Sequence, residues 1–458
     1  MRHVLFPLLC LVGCASSPQA GSDTDASLGT EVDDTDSAVS SPSTPADEPS
    51  EPATFTAHLI GSPSGPAFVT VGDVDGDGQL DIVLSSFGKP GALGIDGGTV
   101  TVWKRTGDLT EWSREVVVAA AEDVEFPNHT TLRDVDGDGD LDVWVPSGFL
   151  VCAAIPWEGS CGALAWYEQT PSGWTRHGLV ENNPLFFHSA QFADLDGDGR
   201  EDLVTVAETF GSFGPVDAQA MWLKGVDGGD YFDPQPHTIG QGMGGFPTLI
   251  DLDGDGDLDI ASAEYAMAGS SAAWFEQTAA PSPEAPDGQW TRHEIAADLG
   301  PSIQLSLVPD LYGDGATRAV LSNHSNTQLG DPWESGIYAL DIPDDPRGLW
   351  PHALISEGIV SVEGSPVAPQ AAPGIFGEGD MDGDGDIDLV VSGDGDPRVF
   401  WLEQTAPGDF STHVLHPNLT QAGGMVIVDL DGDGQNEAIV TGYDDDALYV
   451  VVRDPTGR

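Results

Sequence analysis

The chain has 458 residues, 40% of them apolar, which is enough for one large domain or two to three ordinary ones with a true core. Acidic residues number 76 against 15 Lys and Arg, and the resulting net charge of −61 excludes nucleic acid and an anionic membrane surface as natural partners. So large an excess of carboxylates calls for cations, and divalent metal ions answer that need.

The first segment reads MRHVLFPLLCLVGCASS, a short charged start followed by an apolar stretch too short to span a bilayer and then small residues. It is an export signal. Leu11-Val12-Gly13-Cys14 resembles a bacterial lipobox, which implies that Cys14 is diacylated and becomes the mature N-terminus; an ordinary cleaved signal with an extra cysteine is the alternative. Two or more acyl chains hold a protein stably, so residues 1–14 predict an exported protein of the bacterial cell envelope, extracytoplasmic and on the outer membrane, touching the bilayer through that lipid alone. Residues 15–53 are rich in Ser, Thr, Pro, Asp and Glu and contain no Lys or Arg, the composition of a disordered acidic tether. Cys10 leaves with the signal, and Cys152 and Cys161 then remain for a disulfide in an oxidising compartment. A metal pair is the alternative, but no further Cys or His stands at ligand spacing.

From residue 54 to 458 one unit recurs. Nine-residue acidic loops begin at 73 (DVDGDGQLD), 134 (DVDGDGDLD), 194 (DLDGDGRED), 251 (DLDGDGDLD), 380 (DMDGDGDID) and 429 (DLDGDGQNE), with a degraded copy at 310 (DLYGDGATR). Each is followed by a β-type run such as DIVLSS or DLVVSG. A third strand carries an aromatic signature, clearest at Trp166-Tyr-Glu-Gln-Thr170, Trp274-Phe-Glu-Gln-Thr278 and Trp401-Leu-Glu-Gln-Thr405. A fourth ends in Trp174-Thr-Arg-His177, Trp290-Thr-Arg-His293 and Phe410-Ser-Thr-His413. Four strands per unit, seven times over, predict an all-β fold: a seven-bladed β-propeller of four-stranded blades. The chain ends agree, since Phe55-Thr-Ala-His58 is a fourth strand without a unit before it and Leu448-Tyr-Val-Val-Val-Arg453 is a third strand without a fourth after it. Paired, they complete one blade and hide two sheet edges.

Carboxylates at loop positions one, three, five and nine, with the backbone carbonyl of position seven, suit a hard cation bound by oxygen, namely calcium. Asp-Gly pairs also mark plain turns, but six copies with the same acidic positions exceed what a turn requires. An EF-hand is excluded, because position twelve is Leu84, Val145, Thr205, Ser262, Val391 or Val440 where that motif needs a bidentate Glu. The repeats resemble the FG-GAP or VCBS repeats of integrin α-subunit propellers and of many secreted bacterial proteins, over about residues 54 to 458. The resemblance implies calcium ligands Asp73, Asp75, Asp77 and Asp81 with the carbonyl of Gln79 in the first blade. In the second it implies Asp134, Asp136, Asp138, Asp142 and the carbonyl of Asp140, and in the third Asp194, Asp196, Asp198, Asp202 and that of Arg200. The fourth blade offers Asp251, Asp253, Asp255, Asp259 and Asp257, the sixth Asp380, Asp382, Asp384, Asp388 and Asp386, and the seventh Asp429, Asp431, Asp433, Glu437 and Gln435. That makes about six sites. The fifth loop, Asp310 to Arg318, has Tyr312 at position three and arginine at position nine, so it is expected to be empty of calcium, with Arg318 standing in for the missing charge.

The opposite face is the variable one. From loop position nine to the third-strand aromatic takes between 12 and 24 residues, and the longer inserts carry Phe87, Phe149, Trp157, Phe210, Phe213, Tyr265 and Trp333. Aromatics on loops of a rigid scaffold suit a sugar ring or a protein partner, or simply pack the loops together. His58, His177, His237, His293, His352 and His413 share a fourth-strand position and read as structural. His129 and His188 precede their acidic loops and are the candidates for catalysis near the channel mouth, beside Asn128, Asn182 or Asn183; a hydrogen-bonded strand-end histidine is the other reading. The resemblance implies an adhesion or scaffolding module for a surface protein or glycan. A polysaccharide lyase on the same scaffold is the enzymatic alternative, and a purely structural envelope component is the third.

Overall fold

The computed structural model describes residues 53–454, apart from 92–93, 96, 123, 149–161, 210–216, 230, 266, 268, 328–329 and 363–370. Cys14, the leader and the tether up to residue 52 lie outside the described residues, as do Cys152, Cys161, Phe149, Trp157, Phe210 and Phe213. Apart from one short 3-10 turn at Ala120–Glu122, the elements described are β-strands.

In the first blade Pro66–Gly72, Asp81–Ser86, Thr99–Arg105 and Trp112–Val118 pair antiparallel in chain order, and the acidic loop links the first of them to the second. The same order recurs around the ring, giving seven blades of four antiparallel strands. Only the third departs, its first strand being split into Phe186–Phe187 and Gln191–Ala193, both paired with Asp202–Thr209. The seventh blade runs Ala422–Val428, Glu437–Gly442, Ala447–Arg453 and then Phe55–Gly61. Phe55 stands opposite Arg453, and Thr56 Oγ1 donates to Asp454 Oδ1 at 2.6 Å. The orphan strand expected at each chain end is thus supplied by the other.

Why the second strands are unbroken apolar runs, rather than alternating ones, follows from where the core sits. Among the described residues seven apolar clusters form, one between each pair of adjacent blades. Val83 packs with Val143, Val145 and Tyr167 of the second blade, whereas Ile82 and Leu84, pointing the other way, pack with Ile439 and Val450 of the seventh. Alternate side chains of one strand therefore serve two cores, so all six residues of Asp81–Ser86 are buried. Each fully buried Val, Ile or Leu contributes about 1.5–3 kcal/mol, and none of that exists for a blade without neighbours. Hydroxyls on the second strands stitch the same interfaces. Ser322 Oγ donates to Gly374 O at 2.5 Å, Ser392 Oγ to Ala422 O, and Thr441 Oγ1 to Ala67 O at 3.3 Å, the last across the point of closure.

Candidate metal centres

Each acidic loop is folded by its own carboxylates. In the second, Asp134 accepts the amides of Gly137 (2.8 Å) and Gly139 (3.2 Å), Asp136 that of Asp138 (3.0 Å), and Asp138 that of Asp140 (3.0 Å). The position-seven residues Gln79, Arg200, Asp257, Asp386 and Gln435 likewise turn their amides onto the position-five carboxylates Asp77, Asp198, Asp255, Asp384 and Asp433, at 2.8–3.1 Å. The turning needs glycine for conformation rather than for space. Gly137 and Gly139 have φ of 76° and 101°, yet a Cβ on either would meet nothing within 4 Å.

Position nine is different, because it opens the second strand and is buried. Asp388 Oδ2 accepts the Met381 amide (3.1 Å) and the Trp401 indole (3.0 Å), and Oδ1 accepts the Gln404 amide (2.8 Å). Asp142, Asp202 and Asp259 each take two backbone amides the same way, while Asp81 and Glu437 accept those of Val74 and Leu430. Burial pushes Asp81 and Asp142 up to about 6 and Asp259, Asp388 and Glu437 to about 7, with the loop's other carboxylates adding to the rise; Asp202 is also raised by burial.

Carboxylate oxygens of positions one, three and nine lie within 4.8 Å of one another in the first, second, third and sixth loops: Asp73, Asp75, Asp81; Asp134, Asp136, Asp142; Asp194, Asp196, Asp202; and Asp380, Asp382, Asp388. In the fourth loop Asp251, Asp253 and Asp255 converge instead. Oxygens bound to one calcium at about 2.4 Å lie no further apart than this, so the spacing is the one a shared ion requires, and among the described residues Asp73 Oδ1 is buried without a hydrogen-bond partner. The donor set fits a calcium ion: all oxygen, rich in carboxylate, and with a buried position-nine carboxyl whose raised pKa a bound cation would lower.

The loops are not equivalent. In the third, Lys224 Nζ reaches Asp196 Oδ2 and Asp198 Oδ2, the latter at 2.7 Å, and Arg200 also pairs with Asp198. Arg347 reaches from the fifth blade to Asp253 of the fourth loop and to Glu276, and Lys104 stands 3.4 Å from Asp75. The fifth loop carries this to completion. Arg318 grips Asp314 with two hydrogen bonds of 2.8 and 2.7 Å, donates to Asp341 at 2.9 Å, and lies 4.0 Å over the Tyr312 ring. The Asp310 and Asp314 carboxylates still accept the Gly315 and Ala316 amides, so the turn is kept around a tethered guanidinium.

The third-strand signature accounts for itself in this geometry, and its wiring was hidden in the sequence. Trp166, Trp274 and Trp401 face His177, His293 and His413 at 4.2–4.8 Å, and Glu168, Glu276 and Glu403 hold those imidazoles at 2.6–2.7 Å. Trp222 faces His237 in the same way, and Tyr338 meets His352 edge-on. The glutamine does more. Gln169 Nε2 donates to Val74 O and Gln404 Nε2 to Leu311 O, each tying its own buried aspartate to the preceding blade's acidic loop. The Gln three residues past the tryptophan in three of the seven units, Gln169, Gln277 and Gln404, was the available signal.

On the other face, His129 and His188 do become neighbours: the His129 amide donates to His188 O at 3.1 Å, and His188 Nε2 bonds Glu208. Asn128 is buried and donates to Phe126 O and Gly148 O, whereas Asn182 and Asn183 do not join them. The His129 ring sits between Phe68 (6.1 Å) and Phe246 (5.3 Å), which are 5.7 Å apart, so rings from three blades meet; burial pushes His129 down to about 4. Phe87 contacts Phe68, Phe126 and Tyr443, Tyr265 lies beside His324, and Trp333 packs over Gly300. All three are half-buried.

Fold and loops together define a seven-bladed β-propeller with acidic, metal-type turns on one face. Residues 380–440, one full period from the sixth loop to the strand after the seventh, match the FG-GAP-like repeat family. No curated protein sequence matches the chain.

Proposed function

We propose that this chain is a calcium-stabilised binding module of the bacterial cell envelope, anchored by lipid on Cys14, that holds a protein or glycan on the face opposite its acidic loops. One observation carries the reading. A unit repeated with near-constant loops at one end of each blade varies from 12 to 24 residues at the other, which is the pattern of a fixed scaffold presenting a particular surface. Calcium is supported by the convergent carboxylates, and anchoring by the lipobox-like residues alone. Lys89, Arg292 and Arg398 on that side each face a carboxylate, Asp446, Glu264 and Asp396, which speaks against a pocket for a uronate and hence against a lyase centred on His129 and His188.

The test is size-exclusion chromatography of the purified protein with a panel of polysaccharides and with envelope extracts, in calcium and after chelation. Co-migration lost on chelation is the expected result. A polysaccharide converted to smaller species would replace this reading with the lyase. For the anchor, Cys14→Ser should release the protein from the membrane fraction, and unchanged membrane association would refute it.

A further inference from the structure

Six residues beyond loop position nine, each blade places one residue just past, or at the end of, its second strand: Phe87, Gly148, Glu208, Tyr265, His324, Asp394 and Tyr443. Unlike the loops, this position never settles on one residue type. Three neighbouring pairs of its occupants touch across blades. Tyr443 meets Phe87 at 6.3 Å, Tyr265 meets His324 at 5.8 Å, and His324 Nε2 lies 3.8 Å from Asp394 Oδ2. Gly244 stands in the step between Glu208 and Tyr265, since a Cβ there would be 3.3 Å from Glu208 Oε2 and 3.4 Å from Tyr265 Cβ.

The arc from the third blade to the sixth therefore reads carboxylate, phenol ring, imidazole, carboxylate. The Glu208 side chain is only 4% exposed, and while one oxygen bonds His188, the other, Oε2, is buried without a hydrogen-bond partner among the described residues. Leaving a buried carboxylate oxygen unmet is costly, and a charged N–H donor is the group that satisfies it best. The cations nearby do not do so: Lys89 is committed to Asp446 and Arg292 to Glu264. Glu208 and Asp394 meet histidines instead of lysine or arginine. The two carboxylates are separated by Tyr265 and His324 rather than converging, which disfavours a bare metal ion and favours a larger cation with an apolar body that can lie against a ring.

We propose that the arc Glu208, Tyr265, Asp394 binds an organic ammonium group, the charged amine end of whatever ligand the binding face holds. This rests on the binding-module reading and specifies the chemistry of its site.

The test is saturation-transfer NMR with n-butylammonium as probe and n-butanol as its neutral counterpart, on the calcium-loaded protein. Butylammonium should bind and butanol should not. Glu208→Gln and Tyr265→Phe should be folded by their unfolding temperature, with Glu208→Gln weakening the probe about tenfold, the size expected for a lost charge-assisted bond. Asp394→Asn should weaken it as well, and Asp409→Asn, which removes an equal charge far from the arc, should not. Equal binding of butanol, or equal weakening by Asp409→Asn, would overturn the proposal by reducing the effect to hydrophobic contact or to net charge. Blocked lysine amide and glucosamine as competitors tell a protein source of the amine from a glycan source. If an envelope partner is captured and Glu208→Gln leaves it untouched, the ammonium site fails while the binding module stands; if substitutions across this whole face leave capture unchanged, both fail.

Discussion

Replacing Asp388 by asparagine separates the two tasks of a position-nine carboxylate, because the side chain keeps its shape while losing its charge and half its acceptors. Asp388 is 1% exposed and takes three hydrogen bonds, from Met381, Gln404 and Trp401. An amide nitrogen in place of Oδ1 or Oδ2 orphans at least one buried donor, at about 1–3 kcal/mol. With calcium present at 100 times its dissociation constant, losing that one site removes about 2.7 kcal/mol more by mass action. Without calcium part of the first loss is offset, since the wild-type carboxyl, pushed up to about 7, is itself poorly accommodated as an anion. The expected result is a loss of about 4 kcal/mol in calcium and about 1–2 kcal/mol in a chelator, read from urea unfolding followed by tryptophan fluorescence. Equal losses in both media would refute the metal role and leave Asp388 a hydrogen-bond acceptor only.

Six position-nine carboxyls are raised above their unfolded range of about 4, five of them to about 6–7. A raised carboxyl contributes stability below its unfolded pKa and loses it as pH climbs through the folded one, so the metal-free protein should lose stability between about pH 4 and 7. Thermal unfolding in chelator checks this; in calcium the trend should reverse, because protons then compete with the ion. Arg318→Gln should lower the unfolding temperature equally with and without calcium, and a loss confined to calcium-free conditions would show that the fifth loop binds metal after all. Lys224→Met should tighten one calcium site by about two- to fivefold, the scale of an exposed ion pair worth up to about 1 kcal/mol, as measured by calorimetric titration.

The blades were legible because the repeating loop fixes where each first strand stops and each second strand starts, and the stray strands at the two chain ends could be matched by kind. Loop geometry was legible too, since Asp and Gly at set positions dictate their own hydrogen bonds. Partners from elsewhere in the chain were not. Nothing local announces that Arg347 crosses to Asp253, 94 residues away, or that Gln404 bonds Leu311. Phe87 and Tyr265 stand on long inserts, yet each is half-buried, Phe87 against Phe68 of its own blade and Tyr443 of the seventh, and Tyr265 beside His324 of the fifth, neighbours that the local sequence does not announce. The residue six past position nine has a fixed place in every unit but no fixed chemistry, so its neighbours across blades are set by the ring and not by any local pattern.

The closing strand has a consequence for the order of events in folding. Thr56 and Asp454 are 398 residues apart, so the strand Phe55–Gly61 acquires its partner only after the six blades between them have been synthesised. Blades one to six can each pair their strands as soon as these appear, but the seventh sheet keeps an unpaired edge until Ala447–Arg453 has emerged. Such a long-range contact is among the slowest kinds to form. A chain cut short before residue 447 would therefore hold a permanently free strand at one end of an open ring, and the natural partner for that strand would be the corresponding edge of another copy, as in a domain-swapped chain.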